Sequence, residues 1–290
     1  MNQEDPVFEL GANRYGKSRI RLVTVDRSMD RHEMRDLTVD VSLEGDFTAA
    51  HVDGDNANIV ATDTMKNTVY AFAREHLTGP AEVLGLAVAR HFAAYPQVDK
   101  AVITLRQHGW TRIPLASGAS PDAFTRSGEL TRVAIVAASA GGATVEAGIE
   151  DLTVMKTTRS AFVGFERDKW TTLPETDDRI MSTKITAVWG YGETAAEPGF
   201  DFDAAFDGAR STLLTVLAEH FSPSVQTSVW IMATAMLEAD PAMDWVRMVL
   251  PNLHHWTVNL EPFGLDNREM VYVSTTEPHG LIDATVRRST

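Results

Sequence analysis

The feature that most constrains this chain is an order of strand and helix patterns that occurs twice. In each half, two stretches with strand-like alternation precede two helical stretches, and two more strand-like stretches follow. The alternation is clearest from Leu37 to Leu43. Paired strands around two helices predict an α+β fold, with an antiparallel sheet and helices on one face. We therefore expect two domains of the same layout, 1–141 and 142–290.

Local signals place the ends of several elements. Thr62 is a candidate N-cap for the first long helix, and Ser222 with Pro223 forms a suitable N-cap and first-turn pair for the last one. The pair Gly141 and Gly142 interrupts the chain between the halves. Residues 115–130 carry several turn-forming residues, and we predict an exposed loop there.

Composition excludes several classes of function. The 290 residues contain no cysteine, which excludes thiolate nucleophiles and cysteine-ligated metals. Histidines at metal-binding helical spacing are also missing, so we expect no metal site. The net charge of −14 argues against a nucleic-acid partner. No apolar run approaches the roughly 20 residues that a membrane span needs, so we expect no membrane partner.

Several polar residues stand where a packed fold would not need them. Thr62 with Asp63, and Val225 with Gln226, lie at predicted helix starts, where free backbone N–H groups bind anions. Arg179 offers a planar fork for two neighbouring acceptors. Aromatic side chains nearby can stack on a flat ring. Together these residue types suit a planar, anionic heterocycle with several acceptor atoms.

Each of these residues also has a plain structural explanation. Lys17 alone is typical of a solvated surface lysine, and Thr62 of a helix cap. Phe162 and Phe165 are typical core aromatics, while Arg179 follows two aspartates and could form a surface ion pair. The residue types alone leave the choice between these interpretations open.

The same residues lie in segments that resemble the uricase family. VATDTMKNTVYAFA resembles its first signature, and LTVMKTTRSAFVGFERDKWTTLPETDDRI resembles the second and most specific one. LPNLHHWTVNLEPFGLDN and EPHGLI are similar to later signatures, and the resemblance runs from about residue 13 to residue 288. It implies tandem tunnelling-fold domains of the ββααββ type. It also implies a homotetramer whose sheets close into barrels, with active sites at subunit interfaces.

The resemblance assigns binding roles to five residues. Phe162 would stack on the urate ring. Arg179 and Gln226 would grip the polar edges of the ring, with help from the backbone N–H of Val225. Asp63 would add another backbone contact.

The resemblance also assigns the reacting groups. Lys17, Thr62 and His254 would form a proton relay, while Thr62 and Asn252 would flank the oxygen or water site above the ring. Lys17, Thr62 and Asp63 would come from one subunit and the remaining residues from its neighbour. The implied reaction joins urate, O₂ and water without a cofactor and yields 5-hydroxyisourate and H₂O₂.

Three details depart from the family pattern. Trp170 stands where Tyr or Phe is usual, a change expected to alter the packing behind the site. Leu253 stands where Lys is usual and should point away from the pocket if it lies in a strand. The chain ends in RRST and not in a Ser-Lys-Leu peroxisomal signal, so we expect a bacterial, cytoplasmic enzyme.

Two alternative functions are carried forward. The first is another tunnelling-fold enzyme that acts on pterins or GTP; the missing cysteines and the pair Arg179 and Gln226 oppose it. The second is a catalytically silent purine-binding or structural tetramer, which the intact relay opposes.

Overall fold

The strands of the fold are long, and strands that are consecutive in the chain are neighbours in the sheet. The computed structural model describes residues 8–76 and 79–289, without the side chains of residues 129, 193 and 194. Thr290, the last residue of the RRST ending, lies outside that description. The described strands are β1 (Tyr15–Asp26), β2 (Glu33–Gly45), β3 (Val98–Leu115), β4 (Gly118–Ser139), β5 (Gly142–Lys156), β6 (Met181–Tyr191), β7 (Met243–Thr257) and β8 (Tyr272–Arg287).

Helices separate the second strand of each half from the third. One short helix precedes the two long helices of the first half, and it was not predicted. The described helices are α1 (Thr48–Val52), α2 (Thr62–Glu75), α3 (Ala81–Ala93), α4 (Phe202–Glu219) and α5 (Val225–Ala239). Apart from α1 and two short 3-10 turns, the described order is the predicted one.

Strand order in the sheet follows chain order from β1 to β8. The pairings of β1 with β2, β2 with β3, β6 with β7 and β7 with β8 are all antiparallel. The prediction of an α+β fold with an antiparallel sheet is therefore confirmed.

Hydrophobic alternation determines which face of the sheet the helices cover. Leu37, Val39, Val41 and Leu43 of β2 are all buried, as their spacing predicts. Helix α3 packs against β3, and α5 packs against β7 and β8. The core of each half therefore lies between the helices and one face of the strands.

The predicted loop at residues 115–130 is wrong. β3 extends to Leu115 and β4 begins at Gly118, so the segment is the tip of a long hairpin with a two-residue turn. Side chains near the tip are mostly exposed, so no buried face imposes alternation on the sequence. Backbone pairing and the Arg112 guanidinium, which donates to Pro121 O over 2.7 Å, hold the segment instead. Gly142, with φ of +123°, follows the predicted interruption between β4 and β5.

The strands that close the chain are longer than predicted. Strand-like patterns at residues 254–260 and 269–275 predict the two closing strands, whereas β7 begins at Met243 and β8 ends at Arg287. Val246, Met248 and Leu250 are buried at alternate positions of β7. The alternation that indicates the longer strand was thus present in the sequence.

Internal contacts divide the chain into two compact units. The first comprises Met1–Gly128, Arg132–Ala147 and Gly192–Phe200, and the second comprises Glu129–Thr131, Gly148–Tyr191 and Asp201–Thr290. The domain boundary between residues 141 and 142 remains a prediction. None of the described helices is long and apolar enough to cross a membrane.

Candidate active site

A cavity of about 460 Å³ lies in the second unit. Six of the nine residues assigned from the sequence line it, and we call this set the ring pocket: Phe162, Arg179, Val225, Gln226, Asn252 and His254. Thr157, Trp256 and Tyr272 also line the cavity, and none of the three was predicted as a site residue. For Trp256 a signal was available, because it stands two residues after His254 in a strand and so shares its face.

Phe162 is held as a rigid aromatic platform. Its backbone N–H donates to Thr176 O over 2.8 Å, and Thr176 N–H donates back to Phe162 O over 3.2 Å. Its ring stacks on Phe165 with centroids 4.9 Å apart and planes 11° from parallel. The Arg179 guanidinium carbon lies 5.2 Å from the centre of the Phe162 ring. A flat anionic ring can therefore meet an aromatic face and a cation at one place.

Arg179 is half-buried, and its loop is fixed by hydrogen bonds. Its backbone N–H donates to Ser160 O over 2.8 Å. The carboxylate of the preceding Asp178 accepts from the Thr158 hydroxyl over 2.6 Å and from Arg159 N–H over 2.7 Å. These donors lower the pKa of Asp178, the Thr158 hydroxyl most.

The Arg179 side chain has an unused donor. Its Nε atom is buried, and no described residue accepts a hydrogen bond from it. Burial also lowers the pKa of Arg179, because the cation loses water. A buried cation with an unmade hydrogen bond is costly unless a ligand supplies an acceptor. The arrangement therefore favours an anion in the ring pocket.

The start of α5 presents two backbone donors beside Arg179. Ser224 is the N-cap, and its side chain accepts from Thr227 N–H over 3.1 Å. Val225 and Gln226 are therefore the first two helical residues, whose N–H groups have no acceptor within a helix. The predicted N-cap at Ser222 is wrong, because the cap is Ser224. The Ser222 side chain is buried, and its hydroxyl contacts the Ser228 hydroxyl instead.

Asn252 and His254 are carried by β7 on either side of an irregularity. Asn252 pairs with Gly280 of β8 and His254 pairs with Thr275, and the register shifts between them. Leu253 was expected to point away from the pocket. It lies among the residues that line the cavity, because the register shift breaks the regular alternation of faces.

His254 lies in surroundings that favour the neutral imidazole. Its ring centre is 5.3 Å from that of Trp256, with planes 31° apart. Burial lowers its pKa most, and the charges of Arg179, His279 and His255 lower it further. A neutral imidazole can accept a proton at neutral pH.

Lys17, Thr62 and Asp63 lie in the first unit and are not among the residues that line the cavity; we call them the Lys17 region. Gly16 of β1 lies so close to β2 that a Cβ atom there would be 1.8 Å from Val41 O. The Tyr15 hydroxyl accepts from Val60 N–H over 2.7 Å, just before α2. Tyr15 therefore ties β1, the strand that carries Lys17, to the segment just before α2.

The prediction that Thr62 is the N-cap of α2 is wrong. The N-cap is Ala61, and no described side chain accepts a hydrogen bond at that cap. Thr62 is therefore the first helical residue, and its hydroxyl is not used as a cap. The Asp63 carboxylate accepts from Lys66 over 2.5 Å and from Asn67 over 2.9 Å. Its pKa is lowered by Lys66 most, and the nearby charge of Lys17 also contributes.

Two further predictions concern the surroundings of the site. Trp170 was expected to alter the packing behind the pocket, but its side chain is 76% exposed and contacts Lys169 at 4.9 Å. That expectation is wrong for the single chain.

Among the residues described, no group of three His, Asp or Glu side chains could hold a metal ion.

The fold and the ring pocket together define a class of protein. An aromatic platform, a half-buried arginine and two helix-start donors form a site for a flat, anionic, acceptor-rich ring. A neutral histidine beside it can take a proton from such a ring. This is the arrangement of a binding and proton-transfer site for a small heterocycle.

Comparison with known proteins identifies the family. The uricase family model matches residues 13–137 and 145–283. The chain is 44% identical to a uricase of Arthrobacter globiformis over 96% of this chain and 90% of that protein. It is 35% identical to a uricase of Aspergillus flavus over 96% of each. This chain therefore belongs to the uricase family.

Solved structures support the same assignment. The crystal structure of uricase from Arthrobacter globiformis matches with a TM-score of 0.91 at 43% identity, over 98% of this chain and 96% of that one. A uricase from Bacillus fastidious matches with a TM-score of 0.80 at 22% identity, over 95% of this chain and 93% of that one. The second likeness concerns the fold alone.

Proposed function

We propose that this chain oxidises urate with O₂ and water to 5-hydroxyisourate and H₂O₂, and that it does so without a cofactor. Membership of the uricase family makes the chain an oxidoreductase of the urate oxidase type. The observation that carries the substrate assignment is the buried, unpartnered Arg179 Nε beside the Phe162 ring.

The ring pocket has a group for each part of the urate anion. Phe162 stacks on the ring, and Arg179 donates to neighbouring acceptors on one edge. The Gln226 amide, which can both donate and accept, and the Val225 N–H bind another edge. In the assembled enzyme Asp63 adds a backbone contact. These contacts hold the ring flat, so that O₂ can approach one of its faces.

The chemistry relies on urate as the source of electrons. Triplet O₂ does not combine directly with a singlet molecule, and most oxidases use a flavin or a metal for this reason. The urate anion is electron-rich enough to transfer one electron to O₂, and the resulting radical pair recombines to a peroxide adduct. Water then displaces peroxide, so that one urate, one O₂ and one water give one 5-hydroxyisourate and one H₂O₂.

The protein's part in this chemistry is to move protons and hold the reactants. Lys17, Thr62 and His254 form the relay that takes the protons from urate and water. Asn252 and Thr62 flank the place of O₂ and then of water. Electrostatic preorganisation of this kind lowers the barrier without a metal or a flavin.

The assembly that completes the site is a homotetramer of tandem tunnelling-fold domains, residues 1–141 and 142–290. Each site combines the Lys17 region of one subunit with the ring pocket of its neighbour. Two observations support this: the Lys17 region does not line the cavity, and large apolar side chains of the second unit are exposed. Phe263 is 74% exposed, Met270 77% and Leu281 63%. Contact with a second subunit would bury exposed apolar side chains such as these.

A spectrophotometric assay on metal-stripped protein tests the proposal. Urate absorbance should fall and peroxide should appear in equal amount after exhaustive chelation and dialysis. If dialysed protein is inactive and one added metal restores it, the cofactor-free reaction is wrong. If urate binds but no peroxide forms under any condition, the protein is a silent purine binder.

A further inference from the structure

A hydrogen-bonded series of two buried hydroxyl groups and one half-buried imidazole lies next to the start of α5. Ser222 and Ser228 are fully buried, and their hydroxyl oxygens are 2.7 Å apart. The Ser228 hydroxyl lies 2.8 Å from His220 Nε2, and His220 Nδ1 lies 2.7 Å from Val216 O. All four residues belong to the second unit. This series of hydrogen bonds therefore connects the end of α4 to the start of α5.

The direction of these hydrogen bonds follows from their chemistry. Val216 O can only accept, so His220 Nδ1 carries a proton and donates to it. Burial lowers the pKa of His220 most, and the charges of Lys156 and Arg159 also lower it. In the neutral ring Nε2 is then an acceptor, and the Ser228 hydroxyl donates to it. Ser228 has no second proton, so the Ser222 hydroxyl donates to the Ser228 oxygen.

The backbone of Ser222 extends this series to the ring pocket. Its N–H donates to Arg159 O over 2.9 Å, and its carbonyl accepts from Ala161 N–H over 2.8 Å. Phe162 follows Ala161 directly, and Arg179 N–H donates to Ser160 O in the same segment. Ser222 also stands two residues before Ser224, the N-cap of α5. The N–H donors of Val225 and Gln226 follow directly after that cap. One buried residue thus touches both the aromatic platform segment and the helix start.

We propose that the hydrogen-bonded series Ser222–Ser228–His220 is a positioning device for urate, which sets the distance between the Phe162 platform and the α5 N–H donors. None of the three side chains lines the cavity, so they act on urate only through Phe162, Arg179, Val225 and Gln226. Ser228 is the central link, because its oxygen both accepts and donates. The inference rests on the proposed urate-binding function.

The test is a set of substitutions on α5, with urate affinity measured in the absence of O₂. Ser228→Ala removes the central link. Thr234→Ala is the matched control, since that hydroxyl belongs to the same helix and its oxygen has no hydrogen-bond partner among the described residues. Ser228→Thr restores a hydroxyl at the same position.

Ser228→Ala should raise both the anaerobic dissociation constant and the KM for urate about tenfold, the effect of about one misplaced hydrogen bond. Its kcat should stay within about twofold of wild type, because Lys17, Thr62 and His254 are not displaced. Thr234→Ala should change neither constant, and Ser228→Thr should recover most of the affinity. Equal urate affinities for Ser228→Ala and Thr234→Ala would overturn the inference.

A second variant decides the question if Ser228→Ala does not fold. His220→Phe acts at the half-buried end of the series, keeps a ring and removes both nitrogens. It should weaken urate binding in the same direction, and wild-type affinity in a folded His220→Phe protein would overturn the inference. Wild-type protein that neither binds nor oxidises urate would overturn the proposed function instead, so the two failures are distinguishable.

Discussion

The ring pocket and the Lys17 region are held in place by different means. In the ring pocket, backbone hydrogen bonds fix Phe162 and Arg179, and the Ser224 cap fixes the donors of α5. In the Lys17 region, Asp63 and Lys66 form an ion pair at the surface, and Thr62 follows an uncapped helix start. In the proposed site, the urate-binding residues other than Asp63 therefore lie within one unit. Two members of the proposed proton relay, Lys17 and Thr62, lie in the other unit.

This difference implies that binding and turnover can be separated by mutation. Changes in the ring pocket should act mainly on urate affinity. Changes at Lys17 and Thr62 should act mainly on kcat. The following variants test that separation, from the largest expected effect to the smallest.

Lys17→Ala and Thr62→Ala should each lower kcat about 100-fold or more, the usual contribution of a positioned acid or base. Urate affinity measured without O₂ should change by less than about threefold. The double variant should cost little more than either single one, because members of one relay are not additive. Stopped-flow turnover and anaerobic urate binding measure the two quantities.

Lys66→Ala is the control for the Lys17 variants, because Lys66 is a neighbouring lysine already paired with Asp63. It should leave kcat near the wild-type value. A fully additive Lys17 and Thr62 double variant would mean that the two residues do not share a relay.

Arg179→Ala should raise the KM for urate about tenfold to 150-fold, which corresponds to the loss of about 1.5–3 kcal/mol from a charge-assisted hydrogen bond. Steady-state kinetics over a wide range of urate concentrations measures it. Arg167→Ala is a suitable control, because Arg167 is exposed and lies 5.3 Å over the Phe165 ring. An unchanged KM in Arg179→Ala would show that Arg179 does not bind the substrate.

The pH dependence of kcat/KM should report His254. The relay needs the neutral ring, and activity is lost as pH falls through its pKa. Because burial and positive neighbours lower that pKa, the acid limb should lie below pH 6.5, the ordinary value. His279→Gln removes one positive neighbour, so the limb should move upward by less than about one pH unit.

His51→Gln serves as the control for this measurement, because His51 is an exposed residue at the end of α1. It should leave the profile unchanged. A downward shift of the acid limb in His279→Gln would contradict the assigned electrostatics.

Much of the fold was predictable because burial imposes a pattern. Leu37, Val39 and Val41 alternate because one face of β2 is buried. The tip of the β3–β4 hairpin was not predictable in this way, because its side chains are mostly exposed and only the backbone specifies the strand.

The residues of the candidate site could be predicted from the sequence, but the helix caps and buried contacts around them could not. Arg179 and Phe162 stand in a motif specific enough to identify a family. The predicted cap of α2, Thr62, lies one residue after the true cap. The predicted cap of α5, Ser222, lies two residues before the true cap. Both predictions failed because Thr and Ser are good capping residues by type. The buried contacts of Ser222 and the role of Ala61 arise from tertiary packing, which local preference does not contain.

The central claim is that each active site joins the Lys17 region of one subunit to the ring pocket of another. Subunit mixing tests it most directly. Lys17→Ala and Arg179→Ala proteins are dissociated, mixed and reassembled, and urate oxidation is measured at low urate concentration. Random mixing should give a wild-type pair of regions at about a quarter of the sites, and activity should rise accordingly. If verified mixed tetramers stay as inactive as the parent variants, the two regions do not form a shared site.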